Sequence, residues 1–328
     1  MLKLFGQNTI MQVTILLAVM IALWAHPLIE AQPMSPALGY APLYTPLLAL
    51  NIHPTLAVIA AVILILLEGY YLNLMLTRAS LTPNNNLLPA LLYCTFMSIP
   101  ATTLSPTLLA NLVALPILNL LLLRGTSLTI SSDKIFGAAA LISISSMFYL
   151  PMITLLIAYL LVAVNYRLYN WRDWTMMILG LLAPYILLWG YHFATGTLLN
   201  SLTLTFESLT HFNATILPTG SLQSASNLFL AAITIWSVVA LWTRLGEHPV
   251  VWQKNAITTM LPTLSGIAIL FYSNILPVNL QFFAIPFALC GTQLLAIPSR
   301  QHHQQRQQWR LWYRNILFIL IIIAAAIC

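Results

Sequence analysis

The sequence predicts an all-helical bundle in a membrane, on the basis of its composition, its apolar segments and the placement of its charges. Sixty per cent of the 328 residues are hydrophobic, 5% are charged, and the mean hydropathy is +0.90. A soluble domain carries about 25% charged residues, so a surface this poor in charge is expected to face lipid. The apolar segments are far longer than the ~10-residue strands of an outer-membrane barrel, which predicts that the spans are helices.

Eleven transmembrane helices are predicted within a single domain that covers residues 1–328, with no separate soluble domain. The first apolar segment is interpreted as a retained span rather than a cleaved signal peptide, because it is long and no A-x-A site follows it. The predicted helices cover about 10–28, 53–76, 87–103, 107–123, a pair within 135–164, 174–194, 225–243, 256–275, 279–297 and 316–328.

The pair within 135–164 follows from charge and length together. Its thirty apolar residues are many for one span and few for two, and Pro151 lies in the middle. If Lys134 and Arg167 are both cytoplasmic, the segment is a hairpin of two helices of roughly 22 Å each. Such helices are shorter than the ~30 Å hydrocarbon core. The hairpin therefore predicts a thinned or water-filled zone, or a re-entrant element packed inside protein.

The central stretch from Asn165 to Trp174 fixes the predicted orientation. It holds two arginines, one aspartate and four aromatic rings between long apolar segments, as expected where two helices meet the cytoplasmic interface. With the N-terminus inside and the C-terminus outside, every cation falls on the cytoplasmic side. The net charge of +6 is thus read as orientation in a bacterial inner membrane, and not as a nucleic-acid surface. The twelve cations are Lys3, Arg78, Arg124, Lys134, Arg167, Arg172, Arg244, Lys254, Arg300, Arg306, Arg310 and Arg314.

The predicted outer face offers acids and imidazoles but no lysine or arginine. Glu207 and His211 are four residues apart, so in a helix they would share a face and could act as a base or hold a divalent metal. The alternative is that both are polar residues of the predicted connection between residues 195 and 224, which is rich in serine, threonine and asparagine. Glu30 could be an acid or base on the first external loop, or it could cap the membrane boundary. These three are the catalytic candidates.

Glu68 lies inside a predicted span, where an ionisable residue is costly and marks a functional site by default. Asn73, Asn119 and Arg124 are its candidate partners. The alternative is a structural glutamate that is protonated or hydrogen-bonded near the cytoplasmic headgroups.

Two cationic groups are expected to contact lipid from the cytoplasm. Arg167, Arg172 and Asp173 could bind a phosphate or headgroup, or could act as an interface anchor. A second group recurs every four residues among aromatic rings, which is typical of an interfacial helix on anionic lipid. It consists of Arg306, Arg310 and Arg314.

No cofactor is identified, and no metal site is predicted. The three cysteines, Cys94, Cys290 and Cys328, form no close pair in the sequence. Walker, dinucleotide-binding, HExxH and GxSxG motifs are absent from the sequence. The expected partners are membrane lipids, with a polyprenyl-linked substrate as a hypothesis.

Four short segments carry a resemblance: Asn86–Tyr93, Ser145–Pro151, Asn170–Trp174 and Leu181–Tyr185. Over about residues 80–190 the chain resembles an uncharacterised multi-span family of Bacteroidota inner membranes. That resemblance implies location and topology, and no activity. The layout is also similar, at the level of the fold, to polytopic glycosyltransferases that use lipid-linked sugars. The chain departs from that layout because its first external loop is only about twenty residues long and has no acidic pair.

Three functional hypotheses follow, each with its own cavity. An envelope-glycan enzyme resembling polyprenyl-phosphate-sugar glycosyltransferases predicts a pocket that opens outward and is lined by Glu30, Glu207 or His211. A transporter or flippase predicts a cavity at mid-depth that reaches Glu68. A non-catalytic scaffold of a cell-envelope complex predicts a filled bundle with no cavity beside an ionisable residue.

Overall fold

The regular secondary structure of the described chain is entirely helical, as predicted. A computed structural model describes residues 9–35, 39–82, 86–98, 103–123, 130–168, 170–210, 222–243, 245–272 and 281–295. The helices are α1 (Thr9–Ile29), α2 (Thr45–Ala49), α3 (Pro54–Arg78), α4 (Leu88–Met97), α5 (Pro106–Leu121), α6 (Ser132–Phe148), α7 (Leu155–Asn165), α8 (Trp171–Ala194), α9 (Leu198–Thr210), α10 (Leu222–Trp242), α11 (Val250–Met260), α12 (Pro262–Tyr272) and α13 (Gln281–Leu295), with 3-10 turns at Leu150–Thr154 and Leu245–Glu247.

Three of these helices, α1, α3 and α8, are long and apolar enough to cross a membrane. Helices also occupy each of the other segments predicted before residue 298, although α4 has only 10 residues and α7 only 11. The last predicted helix, 316–328, lies outside the described residues, as do Arg306, Arg310 and Arg314.

The predicted connection between residues 195 and 224 was wrong, because it contains α9. Its serines and threonines indicated a loop, yet they fit into a helix by bonding to carbonyls of the preceding turn. Ser201 Oγ donates to the Leu198 carbonyl at 2.8 Å, and Thr205 Oγ1 donates to the Ser201 carbonyl at 2.7 Å. Side chains that usually favour turns are thereby satisfied inside the helix.

Two other boundaries also differ from the prediction. The helix predicted at 256–275 begins earlier, at Val250, and is interrupted at Leu261 before Pro262 opens α12. Leu261 itself keeps helical backbone (φ −57°, ψ −31°), so the break follows from Pro262, which has no N–H to donate to the preceding turn. The helix predicted at 87–103 ends at Met97.

The predicted hairpin within 135–164 is observed, with its first helix starting at Ser132. Tyr149 adopts extended backbone (φ −146°, ψ 105°) and ends α6. Tyr159 of α7 donates a 2.8 Å hydrogen bond to the carbonyl of Ile135, near the start of α6, so α7 runs back along α6. The turn is buried, and the Leu43 amide of the first loop donates to the Met147 carbonyl at 3.3 Å. The hairpin turn is thus covered by protein.

Helix α4 forms the centre of the core, because all ten of its residues are buried. It lies between α3 and α13. On the α3 side, a Cβ added at Gly69 would lie 2.6 Å from Cys94 Sγ, so glycine is required for this close approach. On the α13 side, the rings of Phe96 and Phe287 are 5.0 Å apart between centroids.

The outward faces of the long helices are apolar. In α3, Leu56, Ile59, Ile63, Leu67 and Tyr70 recur at intervals of three and four residues, and each is between 45% and 60% exposed. The opposite face of α3 is buried in the core. A continuous apolar stripe on the outside of a helix is a surface suited to lipid rather than water.

The crossing of α6 and α8 predicts opposite effects for two glycines of α8. A Cβ at Gly180 would lie 2.5 Å from the Phe136 carbonyl oxygen, whereas one at Gly190 would meet nothing within 4 Å. We expect Gly180→Ala to destabilise the protein by about 1–3 kcal/mol through overpacking against rigid backbone. Gly190→Ala should be neutral or stabilise it by up to about 1 kcal/mol. Thermal unfolding in detergent measures both, and equal melting temperatures would contradict this account of the crossing.

Candidate functional site

The helix ends fall into two groups, and the described cations adjoin one of them. The ends of α3, α5 and α7 meet Asn255 of α11, and we call this region the cationic end. The lysines and arginines of the described chain occur next to these contacts, and they are Arg78, Lys134, Arg167, Arg172 and Lys254. The other region, which we call the opposite end, holds the contacts of Trp24 with Ser98 and of Tyr44 with Leu104.

Asn255 holds the cationic end together through backbone groups of two chain segments. Its Oδ1 accepts from the Leu123 amide at 2.8 Å, and its Nδ2 donates to the Leu123 carbonyl at 2.9 Å and to the Ala79 carbonyl at 3.4 Å. Tyr166 joins the network, because its hydroxyl donates to Asn255 Oδ1 at 3.4 Å and accepts from Thr258 at 2.9 Å. One side chain thus satisfies backbone groups where α3 and α5 end.

Of the predicted group Arg167, Arg172 and Asp173, only Asp173 is buried. Asp173 is only 9% exposed and accepts a 2.9 Å hydrogen bond from Ser132 Oγ at the start of α6. Both arginines are exposed, and no ion pair joins either of them to Asp173 within the described ranges. Arg167 has a φ of 55°, in the left-handed region, where the chain leaves α7. The aspartate therefore positions helices, while the arginines face outward.

Glu68 is completely buried, and its partner is one that the sequence did not identify. Tyr93 of α4 donates a 3.0 Å hydrogen bond to Glu68 Oε2, whereas Glu68 Oε1 has no hydrogen-bond partner among the described residues. Asn73, a predicted partner, leaves its own Oδ1 without a bond, and Arg124 lies outside the described chain. Tyr93 could not be found from spacing, because it comes from a different helix.

The acidic candidates of the predicted outer face are exposed. The side chain of Glu30 is 72% exposed, and its Oε2 lies 3.7 Å from Nε2 of His26, one turn earlier. Glu207 is exposed on α9, while His211 lies outside the described residues, so their predicted pairing is untested.

A hydrogen-bonded group at the opposite end, which we call the Tyr40–His192 group, was missed in the sequence. Tyr40 Oη lies 3.0 Å from His192 Nε2, and Thr197 Oγ1 lies 2.8 Å from His192 Nδ1. Thr195 Oγ1 is 2.9 Å from Thr197 Oγ1, and the Tyr40 amide donates to Ser208 Oγ at 2.9 Å. The group joins the first loop to α8 and α9, and α9 was not predicted.

This group can donate hydrogen bonds and move a proton without a lysine or arginine. Burial raises the pKa of Tyr40, so its phenol keeps a proton to share with the imidazole. His192 is held at both ring nitrogens, so the orientation of its ring is fixed. No cluster of three or more metal-ligating side chains occurs among the residues that the structure describes.

A cleft with a cavity volume of about 50 Å³, open on one side to the surroundings, lies between the hairpin, α5 and the last three described helices. Its walls are mainly aliphatic. Two of its polar side chains are already bonded elsewhere, because Tyr159 donates to the Ile135 carbonyl and Thr258 donates to the Lys254 carbonyl. The cleft therefore presents hydrocarbon. Its lining residues are Asn111, Ala114, Ile117, Leu118, Leu121, Ile142, Leu155, Ala158, Tyr159, Val162, Thr258, Pro262 and Ile285.

The cleft differs from both of the pockets that the sequence predicted. Neither Glu30, Glu207 nor Glu68 lines it. A smaller space of about 10 Å³ adjoins Asp173, Tyr159 and Trp174 at the cationic end. The apolar cleft is thus suited to an apolar guest rather than an ionic one.

The structure defines a helical bundle with lipid-compatible faces, one cationic end and an apolar cleft. Comparison with models of known protein families, with curated proteins and with solved structures gave no match in any of the three cases.

The cationic end predicts a large effect for Asn255→Ala. The change leaves three buried backbone groups of Leu123 and Ala79 without partners, so we expect a loss of about 2–4 kcal/mol of stability. Asn165→Ala is the matched control at the same end. It removes a single part-buried bond of 3.2 Å, from Asn165 Nδ2 to the Lys254 carbonyl, and should cost about 1 kcal/mol. Denaturant titration of both variants in detergent is the measurement, and equal losses would exclude a special role for Asn255.

Proposed function

We propose that this chain is a multi-pass protein of the bacterial inner membrane that binds a lipid substrate by its hydrocarbon chain. The proposed topology has eleven spans, with the N-terminus in the cytoplasm and the C-terminus outside. Two observations support the membrane setting: the apolar outer stripe of α3, and the described cations adjoining one end of the bundle. Cations on one side are typical of cytoplasmic loops.

The proposal of a lipid substrate is based on the lining of the cleft. A site whose walls are aliphatic and whose polar groups are already bonded offers little to an ionic or sugar ligand. A lipid chain loses no hydration on leaving the bilayer for the cleft, so the hydrophobic effect does not drive its binding. Binding then depends on van der Waals packing, which selects a chain by its shape. We therefore propose that the cleft distinguishes one chain type, of the polyprenyl class, from bulk acyl chains.

The Tyr40–His192 group supports a polyprenyl-linked sugar as the substrate class. The opposite end has no lysine or arginine among the described residues, and this group places hydroxyls and an imidazole there that are bonded to one another. Sugar hydroxyls or phosphate oxygens would bind by exchanging with these bonds. Glu207 adjoins Ser208, which bonds to Tyr40, so a carboxylate lies next to the group along the chain. An envelope-glycan enzyme is the activity that this arrangement favours, with Glu30 and Glu207 as its candidate acids.

The other two hypotheses receive less support from the geometry. A transport pathway through Glu68 requires a cavity that reaches it, and the main cleft does not. A filled scaffold requires that no cavity adjoins an ionisable residue, whereas a small space adjoins Asp173 at the cationic end.

The lipid proposal predicts that a side chain filling the cleft blocks labelling by a photoreactive polyprenyl phosphate. Ala158 lines the cleft on α7, whereas Leu161 on the same helix faces outward and is 37% exposed. We expect Ala158→Phe to reduce saturable labelling at least fivefold, and Leu161→Phe to leave it unchanged. Crosslinked peptides identified by mass spectrometry from protein in nanodiscs are the measurement.

The unmodified protein provides a second readout if Ala158→Phe fails to fold. Label on Leu118 and Val162 should saturate and be displaced by unlabelled polyprenyl phosphate, whereas label on Ile59 and Ile63 of α3 should not saturate. Uniform, non-displaceable labelling would disprove the lipid site. Displacement by ordinary phospholipid at equal concentration would disprove selectivity for the chain.

The proposed orientation predicts the accessibility of cysteines placed at the two ends. In a variant without native cysteines, Thr195→Cys should react with an impermeant maleimide added to intact spheroplasts. Arg172→Cys at the cationic end should react only after the membrane is opened. Both native positions are exposed, so access to the residue itself is comparable. The reverse pattern would invert the topology.

A further inference from the structure

We infer that Glu68 and Tyr93 form an enclosed site that binds and releases a proton inside the bundle. The observation is geometric. Glu68 is 0% exposed, one of its carboxyl oxygens accepts from the Tyr93 hydroxyl at 3.0 Å, and the other has no partner among the described residues. A buried polar atom without a partner is uncommon and requires an explanation.

The charge state follows from the surroundings of Glu68. A carboxylate in the interior of an apolar bundle is costly unless a cation or several donors compensate it. Only one donor is present, and no lysine, arginine or histidine forms an ion pair with Glu68 within the described ranges. The neutral acid is therefore the resting form.

The titratable groups around Glu68 come from α4. They are Tyr93, which donates to the carboxyl group, and Cys94, whose thiol donates to the Ile65 carbonyl at 3.5 Å. The other two helices packed most closely against α3 add none beside it. Helix α5 contains no titratable residue, and the single one in α1, His26, is 81% exposed at the helix end.

Tyr93 makes the pair reversible rather than permanently neutral. Its hydroxyl donates to the carboxyl group, and this bond becomes stronger when the group is an anion. The O–H bond of the acid breaks, the proton passes to a water molecule that reaches the carboxyl group, and the electron pair stays on a carboxylate that Tyr93 still stabilises. A buried acid with no donor would not be able to release its proton at comparable cost.

The inference is independent of the lipid proposal, because Glu68 does not line the cleft. It assigns to the bundle a proton-coupled step, in which a movement of α4 against α3 would change access to the carboxyl group. Such a movement would first change the close packing of α3 against α4 at Gly69, the residue after Glu68.

The test is modification by dicyclohexylcarbodiimide, an apolar reagent that enters membranes and reacts with protonated carboxyl groups. The acid O–H adds across one C=N bond, the proton goes to nitrogen, and the adduct rearranges to a stable acylurea with no other reactant. The chain has six carboxylate side chains, so the modified residue can be assigned by mass spectrometry. The experiment uses the intact protein in nanodiscs over a range of pH.

We expect Glu68 to be modified near neutral pH, where the exposed Glu30, Glu207 and Glu247 are not, and modification to fall reversibly as the pH rises. Glu68→Gln should abolish the adduct, and Glu30→Gln should leave it unchanged. Tyr93→Phe removes the donor that favours the anion. It should therefore raise by about one unit the pH at which modification decreases, which is a tenfold change in proton affinity.

Three outcomes would overturn the inference. They are absence of a Glu68 adduct at every pH, modification that does not vary with pH, and protection by sodium chloride but not by choline chloride. The last would assign the site to a metal cation. The adduct is read in the native sequence and in Tyr93→Phe, so the test does not depend on Glu68→Gln folding. Because labelling of the cleft is measured separately, failure of either proposal is distinguishable from failure of the other.

Discussion

The constraint on which the fold depends is the complete burial of α4. A ten-residue helix that is apolar on every side must be covered on every side, and α3 and α13 supply most of that cover. The approach of α3 is possible because position 69 carries no side chain; a Cβ there would meet Cys94 and the Ala90 carbonyl. Close approach places Tyr93 of α4 against Glu68 of α3. Gly69, which allows the packing, and Glu68, which accepts the hydrogen bond from Tyr93, are thus neighbours in the chain. The position of each depends on the other.

The cationic end shows a second way in which helices without water are held together. At helix ends the backbone has unsatisfied groups, and in an apolar setting each one left alone is expensive. Asn255 supplies both a donor and an acceptor to Leu123 and a donor to Ala79. Asp173 acts in a comparable way toward Ser132. Charged residues surround these contacts without forming ion pairs within the described ranges, so neutral amide and hydroxyl bonds hold this end.

The cleft and the Glu68–Tyr93 pair divide the interior into two environments. The cleft offers hydrocarbon with its polar atoms already bonded, which suits a chain selected by shape. The acid is enclosed, has a single donor and is separate from the cleft. The two proposals therefore assign an apolar chain and a proton to different parts of the bundle. The Tyr40–His192 group is a third, part-buried location, at the opposite end.

Composition and periodicity were enough to determine the helical class, the positions of most helices and the hairpin around Pro151, because helix formation in apolar segments depends on local sequence. They also singled out Glu68, because an acid within an apolar helix is costly to bury. Tertiary structure alone decided the partners. Tyr93 belongs to another helix, the Tyr40–His192 group joins three segments, and the cleft is bounded by helices far apart in the chain. Helix α9 was missed because its hydroxyl side chains favour turns until they bond to their own helix. Local energies fix where helices form, whereas only packing decides which faces meet.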